Sequence, residues 1–140
     1  MTFDEVLEKC RREAQSAHEK GARFEELIKK FLQMNPQYRK KFSEVWMWKE
    51  FPWREEFGGR DVGIDIVAQT TGGVYWAVQC KCYAEASRID KAAVNSFLAT
   101  SSKKFSNGAR FSERLWISTQ QEILWVCNIM FYCRYLVRHH

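Results

Sequence analysis

Residues 61–83, DVGIDIVAQTTGGVYWAVQCKCY, carry one carboxylate, Asp65, ahead of a Gly72-Gly73 turn, with Gln79 and Lys81 beyond it. An acid near the base of one strand and a Gln-x-Lys pair on the next can assemble a site for a divalent cation beside a phosphate. Asp65 would supply the anionic oxygen that a hard cation such as Mg²⁺ requires. Gln79 offers a neutral amide oxygen, a weaker ligand, so phosphate oxygens and waters would complete the shell. Lys81 would position or help deprotonate an attacking water, or stabilise charge developing on a phosphorane-like transition state. Together these are the requirements of metal-dependent phosphodiester hydrolysis. A second carboxylate would help, and Glu25 is the best placed, with Asp61 a weaker choice.

Taken singly, each residue has a plain structural reading. An Asp after Gly near a strand start is a turn residue, Gln79 and Lys81 are the solvent face of an edge strand, and Glu25 is a solvated helix residue. The joint occurrence, with Gly63 before Asp65 and a hairpin between the two halves, points to a site.

Register decides whether that site can form. Side chains alternate along a strand, so Gln79 and Lys81 share one face, and Val78, Cys80 and Cys82 the other. A two-residue Gly72-Gly73 turn pairs Thr71 with Val74 and hence Asp65 with Cys80, which sends the acid to the wrong face. The chemistry therefore requires an odd-numbered loop or a bulge near Asp65.

The elements that must hold these groups are readable from periodicity. Thr2 and Glu5 form a capping-box pattern, followed by Phe3, Val6, Leu7, Cys10 and Ala14 at helical spacing. A second helix spans about 18–33, its apolar stripe Phe24, Leu27, Ile28 and Phe31 bordered by Glu25, and Asn35-Pro36 ends it. Residues 36–42 read as a basic loop and 44–51 as a strand rich in aromatics, stopped by Pro52. Residues 54–61 form a charged loop. Strands follow at 64–69 and 74–82, a helix begins at Ser87-x-x-Asp90 with Ile89, Ala93 and Phe97 on one side, 101–113 is a polar, basic loop, and 114–118 is a short strand. The order α-α-β-β-β-α-β describes an α/β layer fold, a small mixed sheet flanked by helices. We expect a domain over 1–119 and, at 120–140, an apolar C-terminal tail of uncertain role.

Composition sets the outer bounds. The 140 residues suit one core, with 46% hydrophobic and 15% aromatic residues, six of them Trp. A net charge of +5 and a pI of about 9.0 favour acidic partners such as nucleic acid. Two basic stretches interleaved with aromatics, Arg39, Lys40 and Lys41, and Lys103, Lys104 and Arg110, are candidates for DNA phosphate contacts. The five cysteines include no CxxC pair, and Cys80 and Cys82, two apart on one strand, are poorly placed for a disulfide with each other. Reduced thiols in a cytoplasmic protein are expected, and a zinc site lacks local ligands. The charged N-terminus does not read as a signal peptide, and none is expected. The apolar run 123–137 contains Asn128 and Arg134 and falls short of the roughly 20 residues a bilayer span needs.

These residues resemble the PD-(D/E)XK nuclease superfamily, and within it the Mrr-like restriction endonuclease branch. GARFEELIKKFL (21–32) is similar to the family's Gly-x-x-Phe-Glu helix, DVGID (61–65) to its Asp-x-Gly-x-Asp, and VQCKCY (78–83) to its Gln-x-Lys strand, in which Gln commonly replaces the second acidic ligand. The resemblance extends over roughly 18–118 and is nearest to the nuclease domain that begins large restriction proteins with helicase and methyltransferase modules. It implies a restriction-endonuclease-like three-layer fold and an active centre of Asp65, Gln79 and Lys81 with Glu25 as the helix-borne acid. It also implies metal binding by Asp65 and Gln79, Mg²⁺ as cofactor, double-stranded DNA as partner, and a helicase or methyltransferase module as associate. Cutting both strands needs two centres, so a homodimer or a larger assembly is expected. The alternatives are a nucleic-acid-binding module of the same fold that has lost catalysis, and a structure-specific repair or recombination nuclease.

Overall fold

The computed structural model describes residues 17–57, 63–81, 91–105, 108–118 and 130–133, with residues 5 and 9. The expected opening helix, Asp61 and the expected helix start at 87–90 therefore lie outside the described residues, wholly or nearly so. A helix, α1 (Ala17–Met34), precedes a one-turn helix, α2 (Pro36–Arg39), and then β1 (Phe42–Met47), β2 (Ile66–Thr70), β3 (Tyr75–Lys81), α3 (Lys91–Ser101), β4 (Phe111–Ser118) and β5 (Met130–Cys133). The five strands form one mixed sheet in the order β1-β2-β3-β4-β5. The pairs β1–β2 and β2–β3 are antiparallel; β3–β4 and β4–β5 are parallel. No helix among the described residues is long and apolar enough to cross a membrane.

Each face of the sheet carries its own core, and side-chain alternation explains the division. On one face α1 buries Phe24, Leu27, Ile28, Phe31 and Leu32, an i, i+3, i+4 stripe, against Ile66, Ala68, Trp76, Val78, Cys80, Leu115 and Ile117. On the other, α3 sets Val94 and Phe97 against Val67, Ala77 and Trp116, beside an aromatic cluster that includes Trp48, Phe51, Phe57, Phe105 and Phe111. β3 is central and its interior is buried on both faces, as suits a strand covered by helices on each side.

Several expectations are corrected by local hydrogen bonding. Residues 36–39 are helical where a loop was expected, because the Asn35 side chain accepts the Gln37 N–H and Pro36 sits at the first helical positions, where its missing N–H costs nothing. The aromatic strand starts earlier and ends sooner than 44–51: residues Trp48–Glu50 wind into a 3₁₀ turn, and the Glu50 carboxylate takes the Met47 N–H. The strand expected at 114–118 begins at Phe111, whose ring is buried in the second core. Within the apolar stretch 120–140, Met130–Cys133 supplies a fifth strand beside Leu115–Ser118.

The hairpin loop is odd-numbered. Ile66 pairs with Val78 and Gln69 with Tyr75, so the loop contains three residues, Thr71, Gly72 and Gly73. Gly73 takes φ +87, and its N–H bonds the Thr70 carbonyl at 2.9 Å, the three-residue pattern that needs a left-handed residue before the second strand. The sequence advertises a Gly-Gly turn of two residues; Thr71 joins the loop because Thr70 closes it, donating its N–H to Val74 O at 2.8 Å and accepting the Val74 N–H on Oγ1 at 3.1 Å.

Candidate active site

At the far end of the hairpin the ladder is interrupted at Asp65. Its N–H donates to Val78 O at 3.0 Å, although Val78 is already the partner of Ile66. Two residues of one strand facing one of the other is bulge geometry. The burial pattern agrees: Ile64 packs in the second core with Val67, three residues on, where strict alternation would set it with Ile66. On the other side the Trp48 N–H donates to Asp65 O at 2.9 Å, so the Asp65 backbone is held by β3 and by the 3₁₀ turn that follows β1.

The loop and the bulge each shift side-chain parity by one, so register alone does not carry Asp65 onto the face of Gln79 and Lys81. The carboxylate instead lies alongside β3, where Oδ2 accepts the Cys80 N–H at 2.8 Å. A side chain continues the hydrogen-bond ladder where the neighbouring backbone leaves it. This fixes the acid at the level of the peptide joining Gln79 and Cys80, one residue from Lys81. The Cys80 amide as its anchor was not foreseen, because nothing in residue type marks a backbone donor.

The charges around Cys80 locate the remaining groups. Its thiol is 6% exposed and is pushed well above the usual range, first by burial and then by the negative charges of Asp65 and Glu25, with the Lys81 ammonium opposing. Glu25 follows Phe24 on α1, which packs in the same core as Cys80. Glu25, Asp65 and Lys81 are all partly exposed, as groups meeting a ligand must be. Gln79 is not: it is 5% exposed, and its Oε1 is buried with no hydrogen-bond partner among the described residues. A buried amide oxygen without a donor costs about 1–3 kcal/mol, a cost that a cation would offset. Among the described residues no three His, Cys, Asp or Glu side chains cluster as a metal site. The groups at this end whose chemistry suits a hard cation are the Asp65 carboxylate and the Gln79 amide oxygen.

The two basic clusters lie elsewhere. Lys41 leads into Phe42, which pairs with Thr70, and its carbonyl accepts the Thr71 N–H at 3.1 Å. Lys104 and Arg110 bridge each other, and Phe111 pairs with Tyr75 at the start of β3. Arg39, Lys40, Lys41, Lys103, Lys104 and Arg110 are exposed and gather at the hairpin-loop end of the sheet. Five residues of strand separate that end from Asp65, about 17 Å. The structure brings the four proposed catalytic groups to one end and the six cations to the other. Lys41 also rests 4.7 Å from the centre of the Trp76 ring, a cation–π contact.

Residues 33–128, more than half of the chain, match a family of Mrr catalytic type described as restriction endonuclease. The chain belongs to this restriction endonuclease family. The match includes Asp65, Gln79 and Lys81, and begins after Glu25. Among solved structures, this restriction-endonuclease-family chain is similar to an ATP-dependent Type ISP restriction-modification enzyme, LlaBIII, bound to DNA. That likeness has 23% identity and a TM-score of 0.66, covering 99% of this chain and 8% of that one. It shows the restriction-endonuclease-like fold, and the chain spans a small part of that neighbour's length. No curated protein matches the family member described here.

Proposed function

We propose that this domain is a Mg²⁺-dependent DNA endonuclease acting within a restriction system. The observation that carries the reading is the arrangement around Cys80: an anchored Asp65 carboxylate, the buried Gln79 oxygen with no partner among the described residues, and the charges of Glu25 and Lys81 acting on Cys80. Asp65 and Gln79 would hold the cation. When bound, it would polarise the phosphodiester and lower the pKa of a coordinated water. Lys81 would donate to the non-bridging oxygens of the scissile phosphate as charge accumulates, and Glu25 would orient the attacking water. Asp65, held by its bond to the Cys80 amide, needs no reorganisation to face the substrate.

Duplex DNA is the proposed substrate; the DNA-bound state of LlaBIII, a small part of which shares this fold, supports it. The basic end, about 17 Å from Asp65, would meet the duplex roughly five base-pair steps from the cut, at about 3.4 Å per step along a strand. A single centre cuts one strand, so complete scission calls for a second copy or for a larger enzyme with a helicase or methyltransferase module. The test is cleavage of covalently closed circular duplex in Mg²⁺ and in EDTA, by wild type and Lys81→Met. Nicking that requires Mg²⁺ and falls at least about 100-fold in the variant is expected. A second reading, a DNA-binding module without catalysis, is favoured by the neutral Gln79 where a carboxylate would bind metal more strongly. Metal-independent binding with no cleavage would select it.

A further inference from the structure

A groove of about 360 Å³ opens between α1 and the end of β1, lined by Glu26, Lys29 and Lys30 on the helix and by Met47, Lys49 and Glu50 opposite. It lies beside the candidate active centre. Met47 pairs with Ile66, and Trp48, next to Lys49, donates its N–H to the Asp65 carbonyl. Along α1, Lys29 is one turn beyond Glu25, about 6 Å on.

Both acids of the groove already have cations. Glu26 pairs with Arg23 at 3.4 Å, and Glu50 with Lys29 at 3.0 Å while also accepting the Met47 N–H. Lys29 holds the Glu50 carboxyl below its usual range, with the Met47 bond adding to the effect, so this acid stays charged and occupied. Lys30 and Lys49, on opposite walls, are exposed and have no ion-pair partner among the described residues. The groove thus presents two ammonium groups outside its ion pairs, Lys49 also acting on Glu50, and its complement is a linear polyanion.

We propose that this groove holds the phosphate backbone of nucleic acid as it enters the active centre, with Lys30 and Lys49 each neutralising one phosphate. The inference rests on the nuclease reading and adds a second contact surface, distinct from the six cations at the hairpin-loop end.

The experiment measures binding of a short fluorescein-labelled duplex in EDTA by anisotropy over a salt series, so that cleavage plays no part. Replacing both Lys30 and Lys49 with Ala should weaken binding roughly tenfold and flatten the slope of log K against log salt by about 1.8, at 0.9 per phosphate. The double Arg variant should restore both, because it keeps the charges. Both side chains are exposed and outside the ion pairs, so the melting temperature should hold and confirm an intact fold. Unchanged affinity and slope in the Ala variant, equal weakening in the Ala and Arg variants, or no duplex binding by wild type would each overturn the proposal. If wild type fails to cleave in Mg²⁺ but the slope changes as expected, the endonuclease reading falls and the groove stands; if wild type cleaves and the slope is unchanged, the groove falls and the endonuclease stands.

Discussion

Replacing Asp65 by Asn and by Ala separates chemistry from scaffolding. The Ala variant leaves the part-buried Cys80 N–H without its acceptor, costing about 1–3 kcal/mol. For a domain of this size that lowers Tm by about 3–10 °C. The Asn variant keeps an oxygen able to accept the same N–H. It loses the strength of a charged acceptor but also removes one of two carboxylates acting on Cys80, so its Tm should stay within about 3 °C of wild type. Cleavage should nevertheless fall about 100- to 1000-fold in both, since a neutral amide cannot replace an anionic metal ligand. A thermal melt with Mg²⁺ supplies an independent readout. At a concentration 100 times Kd the cation stabilises wild type by about 2.7 kcal/mol, and the Asn variant should lose most of that gain. An Asn variant that cuts DNA at the wild-type rate would show that Asp65 only continues a β-ladder.

Three further outcomes follow from the geometry. Gln79→Met, similar in length and apolar, removes the unpartnered buried oxygen and should raise stability in EDTA by about 1 kcal/mol while abolishing Mg²⁺-dependent cleavage, as denaturant titration and a nicking assay would report. Gly73→Ala meets no atom within 4 Å, so its cost is that of φ +87 alone, about 1–2 kcal/mol, with the hairpin register intact by amide exchange. Glu50 has a folded pKa below its usual value, so its pair with Lys29 adds stability above the unfolded pKa and loses it as pH falls through the folded one. With side chains 25% and 46% exposed, Lys29→Met should cost about 0.5 kcal/mol at neutral pH and nothing in strong acid, and an equal cost at both would refute the assignment.

The parts of the fold that were legible in sequence are those where one periodicity acts alone. α1 buries the stripe that its spacing announces, and β2 and β3 lie within a residue or two of their apolar runs. Boundaries set by a side chain reaching for a backbone group were not legible. Asn35 turns a helix stop into a helix start, and Glu50 ends β1 by capturing an amide three residues back. β5 was hidden for another reason: in a nearly unbroken apolar run neither strand nor helix leaves a period to read. The basic clusters illustrate a further limit. Charge and aromatic neighbours identify a phosphate-binding composition, but only the sheet's register reveals that both clusters sit at the end away from Asp65.

Local rules fail together at one end of the hairpin, and this favours a functional centre over accidental irregularity. From Val67 to Ala77 the strands follow the ordinary pattern: paired residues, alternating faces, apolar side chains in both cores and a loop with glycine where the backbone turns left-handed. Beyond Ile66 and Val78 four departures occur within three residues of each strand. The ladder bulges at Asp65, a carboxylate replaces a carbonyl at the Cys80 amide, the Gln79 amide oxygen is buried with no donor among the described residues, and a buried thiol lies in the field of two acids. The buried amide oxygen costs stability, and a strand selected only for packing would place Leu or Val at Gln79. Such a concentration is retained where the same groups acquire partners in the working state. A cation between Asp65 and Gln79 would supply the missing partner of the amide oxygen and offset the crowding of negative charge near Cys80. The stability gained on adding Mg²⁺ should therefore shrink in Asp65→Asn and in Gln79→Met alike. Equal gains in wild type and both variants would mean that the irregularities serve the fold alone.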